Sequence, residues 1–331
     1  MITIKFATIE DTDVIMNFIN DNWKENHILA RDKDFFLYEH QDNKRINYVI
    51  SYDGDKINGV LGFIKYSEDN SDVATVIWKA LKSDTNPMLG IELLEFLRSS
   101  SEYKVAFSPG INAKTIGIYN YLDIYTNYLS QYVIINDVIK NYKILKIKDA
   151  TYLTKLNFIE NTKYSFKKIE QHQLDFNFND SHYVPHKDKE YFVKRYYNHP
   201  IYKYTVFGVY YEESITSVIV TREVVVENSK ILRIMDYLGN DNDIIYISKY
   251  LYQIVIDNDY EYIDFMCYGF NDDNLKEACF TKINLESNDL IVPNYFSPFA
   301  QENIKINFMA DTKEIDKIRI FKADGDQDRP S

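Results

Sequence analysis

Two cysteines, Cys267 and Cys279, are all that the 331-residue chain contains. They are too few for a disulfide scaffold, and neither has a His or Cys neighbour at zinc-ligand spacing, so both read as plain thiols and no metal site is expected. No apolar run reaches the roughly 18 residues of a membrane span. Met1 to Ala7 alternates polar and apolar residues instead of presenting the basic start and apolar core of a signal peptide. The expectation is a soluble, cytoplasmic protein. Positive charge is also scarce: 38 Lys and Arg against 50 Asp and Glu leave a net charge of −12. A general attraction to nucleic-acid phosphates is thereby excluded, and an anionic ligand needs a local basic or backbone-amide pocket. No Gly-x-x-x-x-Gly-Lys-Ser/Thr loop, Gly-x-Ser-x-Gly elbow or His-Glu-x-x-His helix occurs.

What the chain does contain is one unit written twice. Asn47–Tyr66 reads as two strands turning at Asp53-Gly54, and Tyr204–Val225 repeats the shape around Glu212-Glu213. Next comes the strand Val73–Leu81, a polar turn and the helix Gly90–Arg98, answered by the strand Ile231–Leu238, the turn Gly239–Asp243 and the helix Ile244–Asp257. Ser101–Phe107 then leads to Gly110-Ile111-Asn112 and a helix from Ala113; Asp259–Phe265 leads to Gly269-Phe270-Asn271 and a helix from Asp272. Equivalent positions lie about 158 residues apart, as Trp78 and Asp236 or Phe107 and Phe265 do. The opening helix is legible in Glu10–Asn22, with Asp11 or Thr12 as its cap and Val14, Ile15, Phe18 and Ile19 on its buried side. The predicted fold is α/β (α+β), two tandem domains, each a mixed, mostly antiparallel sheet flanked by helices. The expected boundaries are 1–137 for the first domain, 138–180 for a structured connector and 181–331 for the second.

The strand–turn–helix at Val73–Leu97 carries the clearest chemistry. A helix N-terminus presents free N–H groups and a positive dipole end to a diphosphate, and the turn Asn86-Pro87-Met88-Leu89-Gly90 is where those amides point. Read alone, Gly90 is equally an ordinary turn glycine. In the second copy the matching turn, Gly239-Asn240-Asp241-Asn242-Asp243, places two carboxylates where a phosphate would lie, so that copy is not expected to bind one.

Together with the strand Lys104–Phe107 and the helix Thr115–Leu122, this element resembles the acetyl-CoA core of the GNAT superfamily of acyltransferases. That family's pyrophosphate loop, Gln/Arg-x-x-Gly-x-Gly/Ala, survives here clearly only at Gly90. Asn112-Ala113 and Ile118-Tyr119-Asn120-Tyr121-Leu122 follow the outline of the family's later element, while Asp123-Ile124 departs from its usual Gly-Phe. The resemblance implies coenzyme A as co-substrate, with Asn86, Met88, Leu89, Gly90 and Asn112 at the cofactor and the backbone near Trp78, Lys79 and Ala80 holding the pantetheine and the thioester carbonyl. It places Tyr119 where many members keep a tyrosine that protonates the departing thiolate. His27, after the first helix, falls where such enzymes shape the acceptor pocket and has a pKa range suited to removing a proton from an ammonium.

Trp23–Ile28, Val292–Phe299 and Lys322–Pro330 resemble two-domain GNAT enzymes that acylate dTDP-linked 3-amino-3,6-dideoxyhexoses for surface polysaccharide. That implies an acetyl or 3-hydroxybutanoyl donor and an acceptor site including Trp23, Tyr295, Phe296, Asp324, Gln327, Asp328 and Arg329, with His199 and Asp236 if the acceptor sits between the copies. Asp236 serves equally to cap a strand end or to pair with Arg233 or Arg222. Two other readings stay open: an aminoacyltransferase of the peptidoglycan-bridge kind, for which the acidic chain shows no basic track for RNA, and a non-catalytic nucleotide-sugar-binding protein.

Overall fold

The computed structural model describes residues 2–67, 72–82, 84–152 and 156–330. The chain opens with β1 (Ile2–Thr8) and three helices, α1 (Thr12–Asn22), α2 (Ile28–Arg31) and α3 (Lys33–His40). A short β2 (Gln41–Asp42) leads to the hairpin β3 (Arg45–Asp53) and β4 (Lys56–Lys65), then β5 (Asp72–Ala80). Next come α4 (Leu89–Arg98), β6 (Val105–Pro109), α5 (Ile116–Tyr121), β7 (Tyr125–Tyr128) and β8 (Ser130–Ile135). β9 (Lys146–Ile147) and β10 (Tyr164–Lys168) follow, and α6 (Lys189–Phe192) runs into a π turn over Val193–Tyr197. Strands β11 (Thr205–Tyr211), β12 (Ser214–Val226) and β13 (Ser229–Gly239) precede α7 (Asp243–Asp257), β14 (Tyr262–Tyr268), α8 (Asp272–Glu277) and β15 (Thr281–Lys282). Last come β16 (Leu290–Ile291), the small hairpin β17 (Tyr295–Phe296) and β18 (Phe299–Ala300), then β19 (Asn307–Asp311) and β20 (Ile320–Phe321).

These strands build two mixed sheets flanked by helices. The first has the order β1-β3-β4-β5-β6-β19-β7, with β2 on β3; the second has β10-β11-β12-β13-β14-β8-β15, with β20 on β14. In each sheet one neighbouring pair of strands is parallel, β5 with β6 and β13 with β14. The sixth strand of each order comes from the other half of the chain: β8 enters the second sheet beside β14, and β19 enters the first beside β6. Both are short and nearly all buried, as strands covered on both faces must be. The segment 138–180 contributes β10, the edge strand of the second sheet.

The repeat persists at the level of irregularities. A bulge in β5 leaves Ile77 unpaired with β4, and a bulge in β13 leaves Met235 unpaired with β12, 158 residues on. Gly110 (φ +87°) and Gly269 (φ +82°) turn the chain at the ends of β6 and β14. Asn112 and Asn271 each follow to cap the next helical turn with a side-chain oxygen. At the opening helix, Asp11 stands in a 3-10 turn before α1 and accepts from the Thr8 amide and Lys5, while Ile15, Phe18 and Ile19 are buried.

Alternation along the strands divides the first core. Val49, Leu61, Phe63 and Val73 face α4 and α5, with Leu93, Leu94 and Tyr119. Ile46, Tyr48, Ile50 and Val60 face α1 to α3, with Ile15, Ile19, Phe35 and Phe36. On this second face a further cluster joins the halves: Tyr66, Ala74 and Phe107 pack with Tyr191, Met266 and Ile320. Nearby, fully buried Lys187 bridges Asp236 at 2.8 Å and Asp324 at 2.7 Å. Replacing Lys187 by Met strands two carboxylates without a counter-charge, so chemical denaturation is expected to show a loss of about 3–5 kcal/mol. A loss below about 1 kcal/mol would show that the cluster contributes little.

Candidate active site

β5 and β6 are paired only from Asp72–Ala74 to Val105–Phe107 and then part. Ser108 Oγ donates to the Thr75 carbonyl at 2.9 Å where the gap opens, and among the described residues no strand pairs with Val76–Ala80 on the β6 side. At the bulge Ile77 has φ +30°, a strained value for a β-branched residue, of the kind folds retain at working sites. The parting leaves a gap between β5 and β6 beyond Ala74 and Phe107, next to the bulge at Ile77.

α4 follows the parted end of β5. Its N-cap, Met88, makes no side-chain cap bond and is exposed; Asn86 Oδ1 accepts from the Met88 amide at 3.2 Å, and Asn86 Nδ2 donates to Glu92 at 2.8 Å. Trp78 Nε1 donates to the Gly90 carbonyl at 2.8 Å and ties the strand to the helix. Leu89 is buried, and Lys79 and Ala80 are half-buried. A Cβ at Gly90 would meet nothing nearer than Trp78 Nε1 at 3.7 Å, so a small side chain fits there without moving protein atoms. From α5, Tyr119 packs its ring 5.6 Å from that of Trp78. It is buried, and burial raises its phenol well above the ordinary tyrosine value. Its hydroxyl has no hydrogen-bond partner among the described residues. Asn112 accepts from the Lys114 amide at 3.0 Å as the cap that orients this turn. Contacts thus join Trp78 to Gly90 and to Tyr119, with Ala80 beside Gly90; Asn86, Met88 and Leu89 form the turn and start of α4, Lys79 stays on β5, and Asn112 caps the turn before α5.

In the second copy a strand enters the equivalent gap. β20 pairs with β14 through Cys267 and Tyr268, and the Ala323 amide donates to the carbonyl of bulged Met235 at 3.0 Å. At the start of α7, buried Asp243 accepts from the Thr216 and Ser217 hydroxyls, while Asp241 is ion-paired with Arg319. β20, Ala323 and the carboxylates of Asp241 and Asp243 thus lie beside the bulge and helix start of the second copy.

Residues 323–330 then cross to the first sheet on the face that carries α1 to α3. Gly325 lies against Ala74 and Pro109, and Gln327 lies over Gly110, where a Cβ would come within 1.7 Å of Gln327 Nε2. Buried Asp328 is held by Arg222 and Tyr204, and Arg195 donates to the carbonyls of Ala323 and Asp328. The carboxylates of Asp236, Asp324 and Asp328 are therefore engaged within the chain. Arg329 pairs with Asp326 at 2.8 Å, and the Tyr295 hydroxyl reaches Gln327 Oε1 at 3.4 Å. Phe296 stacks on Phe299 beneath the Arg233 guanidinium, and Trp23 is exposed at the end of α1.

The histidines differ in the nitrogen they leave bare. His27 caps α2 with Nδ1, which accepts from the Leu29 amide; His199 Nδ1 accepts from the amides of Ile201 and Tyr202. Each neutral ring therefore carries its proton on Nε2 and presents a donor, not a base. His40 is the reverse: Nδ1 donates to the Phe63 carbonyl, and Nε2 is buried without a partner beside Tyr48. Burial, aided by the nearby Arg329 charge, pushes His27 and His40 down to about 3, and burial with Arg195 nearby pushes His199 down to about 4. Neither His40, Lys187 nor the Ile77 bulge was singled out from sequence. Only the 158-residue spacing to Met235 offers a handle on the bulge, and nothing local marks the other two.

The histidines stay neutral in the folded chain at pH values where the unfolded chain protonates them. Below about pH 6.5 the unfolded state therefore binds more protons, and stability falls as pH drops toward 3 to 4. Each such group adds a slope of about 1.4 kcal/mol per pH unit. Urea unfolding across this window is expected to show a slope shallower by about one proton in His40→Phe than in the wild type; equal slopes would contradict the assignment.

The sequence matches no family model and no curated protein. Solved structures do match. A GCN5-related N-acetyltransferase from Anabaena variabilis aligns with a TM-score of 0.57 at 9% identity, covering 94% of this chain and 72% of that one. A conserved protein of unknown function and probable N-acyltransferase from Enterococcus faecalis aligns at 0.56 and 6%, covering 94% and 72%. A GCN5-related N-acetyltransferase from Kribbella flavida aligns at 0.54 and 6%, covering 94% and 70%. The chain has the fold of the GCN5-related N-acetyltransferases, with two mixed sheets flanked by helices.

Proposed function

We propose that the protein is an acyl-CoA-dependent N-acyltransferase whose first copy (1–137) binds the cofactor and whose second (181–331), with the connector 138–180, completes the acceptor side. The observation that carries this reading is the asymmetry of the two strand gaps: among the described residues no strand pairs into the first, whereas β20 and Ala323 enter the second. The fold shared with known acetyltransferases supports acyl transfer.

In this reading the first-turn amides of α4 bind the diphosphate of coenzyme A, and β5 amides freed at the bulge receive the thioester carbonyl as it gains negative charge. The cofactor supplies the activated acyl group. A neutral amine attacks the thioester carbon directly, so no covalent enzyme intermediate is needed and positioning carries much of the rate. Tyr119, whose raised pKa keeps it protonated, gives its proton to the departing thiolate. The finer proposal is an acetyl or 3-hydroxybutanoyl group moving to the amine of a dTDP-linked 3-amino-3,6-dideoxyhexose for surface polysaccharide. Exposed Trp23 and Tyr295 offer faces for a base or a sugar, with Gln327 beside the Tyr295 hydroxyl and Arg329 two residues further on; Phe296, packed on Phe299, supports Tyr295 from the same hairpin. Asp236, Asp324 and Asp328 serve by holding the tail in place, and His27 and His199 act as hydrogen-bond donors.

Calorimetry is expected to show one CoA bound per chain. Gly90→Ala is expected to weaken CoA about tenfold by crowding the approach to the amides, while its melting temperature stays equal or rises because the new Cβ makes only ordinary contacts. Thiol release with an acyl-CoA and a dTDP-amino sugar is expected to fall about 10²-fold in Tyr119→Phe with CoA affinity unchanged. Unaltered turnover would remove Tyr119 from the mechanism, and no CoA binding at millimolar ligand would remove the reading itself.

A further inference from the structure

A second cavity, of about 590 Å³, lies on the sheet face opposite α4, and none of its lining residues belongs to the Asn86–Gly90 turn. Its volume is ordinary for a small-molecule site. Both copies build it: α3 and the strands β2 to β4 form one wall, α6 and the π turn the other. Gly325 of the tail closes one side, and the same glycine lies against Ala74 and Pro109, at the end of the β5–β6 pairing. One residue without a side chain thus stands between the cavity and the place where the two strands part.

The walls are polar almost throughout. Among the described residues that form them, Ile64 alone has a side chain without a hydrogen-bonding atom. A ligand rich in hydroxyls matches such walls, whereas an apolar one would bury them unsatisfied. Two of the groups already lack partners. Asn47 is 6% exposed, and its buried Oδ1 has no donor. Arg195 is 5% exposed; its Nη1 meets Glu39 at 3.3 Å and its Nη2 meets two backbone carbonyls, yet buried Nε has no acceptor. A buried donor and a buried acceptor in this state cost stability unless something supplies them. A hydroxyl supplies either, because it both donates and accepts.

Charge sets a limit on the same ligand. Among the described lining residues four carboxylates stand against three cations, and Asp42 and Glu39 are paired with Lys65 and Arg195. The cavity therefore offers no surplus positive charge to a phosphate or a carboxylate, and an amine entering it meets no surplus cation. We propose that this cavity seats the hydroxylated ring of the acyl acceptor, with ring hydroxyls on Asn47 and Arg195, the amine on the Gly325 side and the acceptor's phosphates outside. That role rests on the acyl-transfer reading and adds to it the place of the acceptor.

Calorimetry and thiol release with acetyl-CoA and dTDP-3-amino-3,6-dideoxy-D-galactose test this in two variants of the full chain, Asn47→Leu and Gln41→Trp. The second sets a bulky ring on an exposed position of the wall. Each is expected to bind the amino sugar at least tenfold more weakly and to raise its KM by a similar factor, with CoA affinity unchanged. Asn47→Leu is expected to melt no lower than the wild type, since it removes an acceptor that has no donor. Wild-type affinity for the amino sugar in either folded variant, an equal loss of CoA affinity, or no binding of the amino sugar to the wild type would overturn the assignment. A wild type that binds the amino sugar with this dependence on Asn47 and Gln41 but neither binds CoA nor releases thiol would instead overturn the acyl-transfer reading and leave a sugar-binding site.

Discussion

The exchange of β8 and β19 between the sheets is the constraint on which the rest depends. Neither sheet is complete without a strand from the other half: removing β8 would separate β14 from β15, and removing β19 would separate β6 from β7. The two copies therefore cannot part as independent domains without breaking buried ladders, whose backbone groups have no other partner. The cluster around Ala74, Phe107, Tyr191 and Met266, and the Lys187 bridge, lie in the seam that this exchange closes.

Fixing the seam also fixes the course of the last residues. After β20 the chain passes the bulge of the second sheet at Met235 and arrives at Ala74, Pro109 and Gly110, where the first sheet parts. One segment thus closes one cleft and borders the other. The two copies share a bulge and a positive-φ glycine at matching places and differ in what lies beside them. The carboxylates at the start of α7, satisfied by Thr216, Ser217 and Arg319, express the same divergence in charge.

Periodicity and spacing made much of this legible. The hairpins, the two strand–turn–helix elements and the offset of about 158 residues are local patterns, and local patterns are what a sequence displays. The proximity of Trp78 to Gly90 and Tyr119 was legible for the same reason, since a single supersecondary unit carries them. The exchanged strands were not, because β8 and β19 read as ordinary apolar runs and nothing in such a run names its neighbour. Nor was the fate of Asp236, Asp324 and Asp328: an acidic tail looks solvated until Lys187, Arg222 and Tyr204, all more than 100 residues away from Asp328 or Asp324, are seen around it. Histidine tautomers lie furthest from the sequence, since they are set by which backbone group each Nδ1 meets.

The claim that one cleft was kept and its twin closed is tested most directly by backbone amide exchange with and without coenzyme A. The account predicts slower exchange at the start of α4, around Met88 to Leu93, and in β5 near Trp78, with no change at the start of α7 around Asp243 to Ile247. Protection at α7, or at neither helix under saturating ligand, would contradict it.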